Sequence, residues 1–467
     1  MGDQFVEKVV AGLQKRLRPD QVSVHPAERL VYGYDATWAE GLPDVVVHAE
    51  STADVAWVLR IANEMEVPVI PRGGGTGLAG GAVPITGGIC LNLARMNRIL
   101  EIDPADGIAV VQPGVITNAL QKAVEAHGLF YPPDPASLYM STIGGNVATN
   151  AGGPRCLKYG VTRDYVLGLE VVIPGGEVLR LGGRVMKDVS GYDLKHLFIG
   201  SEGTLGVITE VTVRLLPRPP ALGALAVAFD RLESACEAVV AILSSGILPL
   251  MAELMDQEVM RAVEAFHPYG LPVEAEALLL LAADGEEEAV RADLARMVHQ
   301  AQAFGGRVVR IANDTKSAAD LWEPRRQASP AIARLAPHKL SEDITVPRSR
   351  IPQMVRRIQQ IARETRVPIV LYGHIGDGNL HPTLLCDRRN PEEMSRVAQA
   401  ATQIFHAALE LGGVLSGEHG IGVLKQDFTP QAFPPAIIEK FWAIKLLFDP
   451  KNIMNPGKKL PLPGSWI

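Results

Sequence analysis

The chain has 467 residues, 47% hydrophobic and 21% charged, with 45 basic and 52 acidic side chains giving a net charge of −7. That length exceeds what one core supports, so two or three domains are expected. With no basic run and no aromatic–basic interleaving, nucleic acid is excluded as a partner, and the longest apolar runs, such as Ala277–Ala283, are far too short to span a bilayer.

Charges at Asp3, Glu7 and Lys8 leave no apolar signal core, so the expected location is cytoplasmic. The cysteines, Cys90, Cys156, Cys236 and Cys386, are scattered and form no CxxC. That spacing excludes a disulfide framework, a zinc ribbon and an internal iron–sulfur cluster. Any redox chemistry here has to hand its electrons to something outside the chain.

Phe5, Val9, Leu13 and Leu17 recur at helical spacing and predict an amphipathic helix over 3–19. A strand at 44–48, a helix from Thr52 to Met65 and a strand at 67–71 follow. They close on the loop Arg72-Gly73-Gly74-Gly75-Thr76-Gly77-Leu78-Ala79-Gly80-Gly81. Gly75–Gly80 fits GxGxxG, but that fingerprint needs a helix behind it, and here a strand at 89–93 comes next. A Rossmann site is therefore rejected. The loop keeps its anion-binding character, because successive glycines let backbone N–H groups crowd a phosphate. A strand at 108–112 and a helix at 117–127 lead to Ser141–Gly153, small, polar and glycine-rich. Its interleaved Ile143 and Val147 predict an ordered segment pressed against something large and flat. Strands at 168–173 and 177–181 precede a third glycine site, Gly200–Gly206, which runs into a strand at 207–213.

Pro217-Arg218-Pro219-Pro220 marks a boundary. Beyond it, strands at 224–229, 276–283 and 307–311 alternate with helices at 231–245 and 286–304, predicting an α+β domain with an antiparallel sheet on one side and helices on the other. The expected division is 1–219, 220–420 and 421–467. Helices are predicted at 391–411 and 434–447.

Within the second domain the β-branched run Val367–Tyr372 reads as a strand, and Gly376-Asp377-Gly378-Asn379 as a four-residue turn. If the chain doubles back there, Ile375 stands opposite Leu380 and His374 opposite His381, with Cβ atoms roughly 5 Å apart. Two imidazoles so placed form a chelate for a divalent metal. A second dense patch, Gly417-Glu418-His419-Gly420, offers a carboxylate ligand and a further imidazole.

Taken in order, Pro71–Gly77, Thr142–Gly153, Lys187–Leu194, Gly200–Thr209, His374–His381, Gly417–Gly420 and Phe448–Lys458 resemble the FAD-linked oxidases of the vanillyl-alcohol-oxidase superfamily. Within it they resemble the branch holding the glycolate oxidase large subunit, FAD-dependent D-lactate dehydrogenase and D-2-hydroxyglutarate dehydrogenase. The resemblance runs from about Tyr34 to Lys459. It implies an α+β fold: an FAD domain of two subdomains, a cap domain with an antiparallel sheet, and a C-terminal segment returning to the FAD domain.

The resemblance also implies site residues. Arg72, Gly73, Gly74, Gly75, Thr76 and Gly77 would hold the FAD pyrophosphate. Ser141, Thr142, Gly144, Gly145, Asn146, Thr149, Asn150 and Gly152 would lie against the flavin, with Glu202, Gly203, Ile208 and Asn455 contributing. No histidine lies between Pro71 and Gly81, so FAD is expected without a covalent tether. His374, His381 and Glu418 would ligate a divalent metal, zinc or manganese, with His419 as the base. A guanidinium suits a substrate carboxylate; Arg325 and Arg326 are both available, and the resemblance favours Arg325. Lys339 offers a second cation, but its spacing to Asp343–Pro347 departs from that of the hydroxyglutarate enzyme, which points to a small monocarboxylate.

The implied activity is oxidation of D-lactate or glycolate. D-2-hydroxyglutarate oxidation, or hydrolysis at a flavin-free metal site, is the alternative. The implied acceptor is an iron–sulfur electron-transfer subunit or a quinone, which would place the protein at the membrane periphery through a partner.

Overall fold

The computed structural model describes residues 2–465. The chain falls into two compact units: the described residues of Met1–Gly152, Val161–Arg218 and Glu418–Ile467 form one, and Gly153–Gly160 with Pro219–Gly417 the other.

The first unit holds two larger sheets and a two-stranded ribbon, Leu129–Phe130 with Leu216–Pro217. In one sheet, Val45–His48, Ile89–Asn92 and Val69–Arg72 run parallel, and the short strand Val22–Ser23 pairs antiparallel with Val45–His48. Its apolar strands are buried on both faces, as parallel strands must be. Val45, Val47, Val69, Ile89 and Leu91 pack with Val9 and Leu13 of the helix Asp3–Leu13 and with Val55, Val58 and Leu59 of the helix Thr52–Met65. The first helix stops at Leu13, short of the expected 19, although Leu17 is still buried. The second has the expected bounds; Ser51 caps it by accepting the Asp54 N–H at 3.2 Å.

The other sheet is antiparallel, in the order Ile99–Asp103, Ile108–Val111, Val207–Arg214, Val166–Val172, Val178–Gly182. The C-terminal segment returns to this unit. Val69 and Met454 form a parallel bridge, and Ile453 and Met454 join the core of the parallel sheet.

The second unit is built on an eight-stranded antiparallel sheet. Its order is Arg307–Ala312, Ala221–Phe229, Ala277–Gly285, Met251–Asp256, Ile369–His374, Asn379–Cys386, His338–Ser341, with Ile344–Thr345 also pairing the 379–386 strand. Met251–Asp256 and the helix after it, Gln257–Phe266, were not expected from the sequence. Helices cover both faces rather than one. Ala224, Ala226, Leu278, Leu280 and Tyr372 pack with Val259, Met260, Leu321 and Trp322 of the helices 257–266 and 315–326. The opposite face carries the helix Glu287–Ala303, whose Val290 and Leu294 press close on Gly223. No helix among the described residues is long and apolar enough to cross a membrane.

Candidate functional site: a glycine-walled cleft and a histidine hairpin

In the first unit, three chain segments converge on an open cleft. Its walls are the loop after the strand Val69–Arg72, the segment 135–152 and the run 201–208, with Glu418 and His419 at one side.

The loop needs its glycines for two different reasons. Arg72 is buried beneath it, donating from Nη1 to the Tyr34 carbonyl at 2.7 Å with its guanidinium 5.5 Å from the centre of the Tyr32 ring. Gly75, at φ +67°, passes so close that a Cβ there would come within 2.2 Å of Arg72 Nη2. Arg72 therefore supports the loop and gives the cleft floor a fixed positive charge. Gly77 is the contrary case. A Cβ there would meet only Asp35 Oδ2, at 3.9 Å, so protein packing does not demand glycine, and what the missing side chain leaves is room in the cleft.

Of the residues expected to bind cofactor, Arg72–Gly77, Ser141, Thr142, Gly144, Gly145, Asn146, Thr149, Gly152, Glu202, Gly203 and Ile208 line this cleft. Ser141–Gly153 is ordered, and its middle forms a helix, Ile143–Thr149, that its two glycines concealed. Thr142 Oγ1 accepts the Gly145 N–H at 3.2 Å and caps it. Thr117 Oγ1 lies 2.9 Å from Ser141 Oγ and accepts from Asn146 Nδ2 at 2.7 Å, locking the helix in place.

Two residues stand off the lining. Asn150 ends that helix at φ 53° and accepts the Arg163 N–H at 2.9 Å. Asn455 donates from Nδ2 to the carbonyls of Gly81 (2.9 Å) and Glu202 (2.7 Å), tying two walls together. Glu202 faces the C-terminal segment, where it accepts the N–H groups of Ile421 (3.0 Å) and Gly422 (2.7 Å) and so anchors the turn that carries Glu418 and His419. The sequence reading missed the wall Pro135–Ser137; its signal is the rigid run Pro132-Pro133-Asp134-Pro135.

In the second unit the hairpin register differs from expectation. Tyr372, not His374, pairs with His381, and His374 pairs with Asn379, so the turn is Ile375–Gly378. The cause lies outside the hairpin: Asn379 Nδ2 donates to Asp343 Oδ1 (2.5 Å), the Ile344 carbonyl (3.1 Å) and Thr345 Oγ1 (3.1 Å), drawing Asn379 into the sheet. The expected pairing is off by two positions, and side chains alternate with period two, so both histidines still share a face. They are diagonal neighbours with ring centres 5.1 Å apart and planes at 90°.

That face carries more than the histidines. Glu253, on the neighbouring strand, places Oε1 2.5 Å from His374 Nδ1. Its Oε2 lies 2.7 Å from Arg325 Nη2, and the Arg325 guanidinium sits 4.8 Å from the centre of the Tyr372 ring. Lys339 donates to the Ser329 carbonyl (2.8 Å) and Oγ (2.7 Å), and burial holds its ammonium below the usual lysine range.

Residues 43–182 match a family described as an FAD binding domain, and residues 218–459 match the C-terminal domain of the FAD linked oxidases. The chain belongs to the FAD-linked oxidases. It is an FAD-dependent oxidoreductase with the fold of the vanillyl-alcohol-oxidase superfamily. It is 46% identical to the glycolate oxidase subunit GlcD of Bacillus subtilis, over 94% of both chains, and 37% identical to the D-lactate dehydrogenase of Anaerostipes hadrus, over 95% of both. A crystal structure of p-cresol methylhydroxylase shares the fold at 21% identity, with a TM-score of 0.82, covering 99% of this chain and 98% of that one. The cleft fits the cofactor of this family in its glycine walls and in the open space at Gly77.

Proposed function

We propose that this protein oxidises a small 2-hydroxy acid, D-lactate or glycolate, to the 2-oxo acid. The observation that carries the reading is the shared face of His374 and His381, with Arg325 beside it, in a chain similar along most of its length to a glycolate oxidase subunit and a D-lactate dehydrogenase.

The substrate carries a carboxylate next to a hydroxyl-bearing carbon. Arg325 suits the carboxylate, since its planar guanidinium offers parallel donors, and its Nε has no hydrogen-bond partner among the described residues. His374 and His381 would hold a divalent metal, zinc or manganese, with Glu418 as the third ligand. Glu418 is the next residue after Gly417, which Asp343 fastens by accepting its N–H at 2.9 Å. His419, on the rim of the cofactor cleft, would take the hydroxyl proton as a base. When bound, FAD would supply the hydride acceptor and the cation would supply Lewis-acid polarisation. With Lys339 occupied by Ser329, a second substrate carboxylate finds no ready cation there, which favours lactate or glycolate over a dicarboxylate.

FAD is held without a covalent link, there being no histidine in its loop. The relative's designation as a subunit suggests an electron-accepting partner, an iron–sulfur protein or a quinone-linked one. The test is a panel of D- and L-2-hydroxy acids with a dye acceptor, before and after chelation. Turnover confined to small D-hydroxy acids or glycolate, lost on chelation and restored by zinc or manganese, supports the reading. Turnover indifferent to thorough metal removal overturns the metal's role, and absence of turnover on every 2-hydroxy acid overturns the substrate class.

A further inference from the structure

Glu253 has no exposed surface, and its immediate neighbours on the strand, Met251, Ala252, Leu254 and Met255, are apolar. A buried charge costs several kcal/mol unless its oxygens are met. For stability alone an apolar residue of similar size would serve as well, so the carboxylate at this position calls for another reason.

Both of its oxygens are spoken for. Leu254 pairs with Gly373 across the strands, which puts Glu253 beside His374 on the same face. Oε1 lies 2.5 Å from His374 Nδ1. A carboxylate on Nδ1 sets the tautomer and turns Nε2 to whatever the ring ligates. Oε2 lies 2.7 Å from Arg325 Nη2, a close charge pair off-line for a hydrogen bond. Arg325 comes from the helix Thr315–Arg326, which lies on this face of the sheet. The contacts close into a ring: Glu253 to His374, His374 to His381 at 5.1 Å between centres, His381 to Tyr372 at 5.5 Å, Tyr372 to the Arg325 guanidinium at 4.8 Å, and Arg325 back to Glu253.

We propose that Glu253 is the positioning residue that fixes the imidazole of His374 relative to the guanidinium of Arg325, and with it the distance between the cation and the anchor for the substrate carboxylate. This rests on the reading above of His374 as a cation ligand and Arg325 as that anchor. The reacting hydroxyl and the carboxylate sit on adjacent carbons, so the groups receiving them tolerate a misplacement of only about 0.5 Å. One rigid carboxylate holding both groups meets that demand better than two independent contacts.

The test uses Glu253→Gln, which keeps the shape but has one oxygen for two partners, and Glu253→Asp, which keeps the charge on a shorter arm. Each is purified with FAD, stripped of metal and titrated with Mn2+ alone by calorimetry; after remetallation, KM and kcat are measured separately. The flavin-to-protein ratio and the melting temperature report folding, and Glu253→Asp carries the test should Glu253→Gln fail to fold. The expected result is Mn2+ affinity weakened about 10- to 100-fold and KM raised several-fold, with flavin content unchanged. Folded, yellow variants that bind Mn2+ as the wild type does, with unaltered KM, overturn the proposal. His374→Ala separates the two ideas. If it loses Mn2+ while both Glu253 variants keep it, only the role of Glu253 falls; if it too binds Mn2+ like the wild type, the hairpin is not the cation site and both fall.

Discussion

Asp343 Oδ2 accepts the backbone N–H of Gly417 at 2.9 Å, one residue before Glu418. The same oxygen takes the Ser416 hydroxyl at 2.6 Å, and Oδ1 takes the Asn379 amide at 2.5 Å. A single buried carboxylate thus joins the histidine hairpin to the bend at Ser416 and Gly417 from which Glu418 departs.

Asp343→Ala should therefore loosen Glu418, and it also removes the carboxylate that lies 3.9 Å from His381 Nδ1 and holds Asn379 in the hairpin. The expected outcome is about tenfold weaker metal binding, with a stability loss of about 1–3 kcal/mol from the unmet buried donors. Flavin content should fall little, because the glycine segments that form most of the cleft wall lie outside the contacts of Asp343. Metal titration and urea unfolding on the same preparation check both halves.

His419 and Glu418 should separate by readout. His419→Ala should lower turnover by about two to four orders of magnitude, the range for a positioned base, and leave metal content near the wild-type level. Glu418→Ala should strip the metal. Equal metal loss in the two variants would mean that the ligand and base roles have been exchanged.

Where the sequence succeeded and failed follows from the reach of each interaction. The helix Thr52–Met65 was legible because its cap, Ser51 to Asp54, lies within four residues. The shared face of His374 and His381 was legible because alternation survives a two-position slip. Their true register was not, because Asn379 is captured by Ile344 and Thr345, more than thirty residues upstream. Glu253 was invisible for the same reason: in sequence it is a lone acid in an apolar run, and its partner His374 is 121 residues away. The helix Ile143–Thr149 hid behind two glycines that disfavour helix and whose place is set by the packing of Thr117, Ser141 and Asn146.

Gly77 gives a test of the cofactor cleft that spares the fold. A Cβ at Gly77 meets no protein atom closer than 3.9 Å, and Gly77 is not among the glycines with positive φ. Gly77→Val should therefore fold with near-wild-type melting behaviour but fill space in the cleft. The expected protein is colourless, or loses its flavin on gel filtration, as read by the visible absorption spectrum. A yellow, fully loaded variant would show that the cofactor keeps clear of this part of the loop.

Lys458 ties the chain's end to the cofactor loop, donating to the Gly81 carbonyl at 2.9 Å and to Asn455 Oδ1 at 2.6 Å. Burial pushes its ammonium down to about 7; Asp35, Cys90 and Glu202 pull the other way, and Arg72 adds to the depression. The unfolded chain keeps a lysine protonated up to about 10.4. Between about pH 7 and 10 the unfolded state therefore binds more protons than the folded one, and stability rises with pH across that window. Below pH 7 both states are protonated and this contribution stops changing. Lys458→Met abolishes the titration, so the wild-type minus variant difference in unfolding free energy should climb in favour of the wild type from pH 7 towards 10, by on the order of a few kcal/mol. Chemical denaturation of both proteins at matched ionic strength measures it. A difference that stays flat across the window would mean that Lys458 remains charged when folded, stabilised by its acidic neighbours more strongly than burial opposes it.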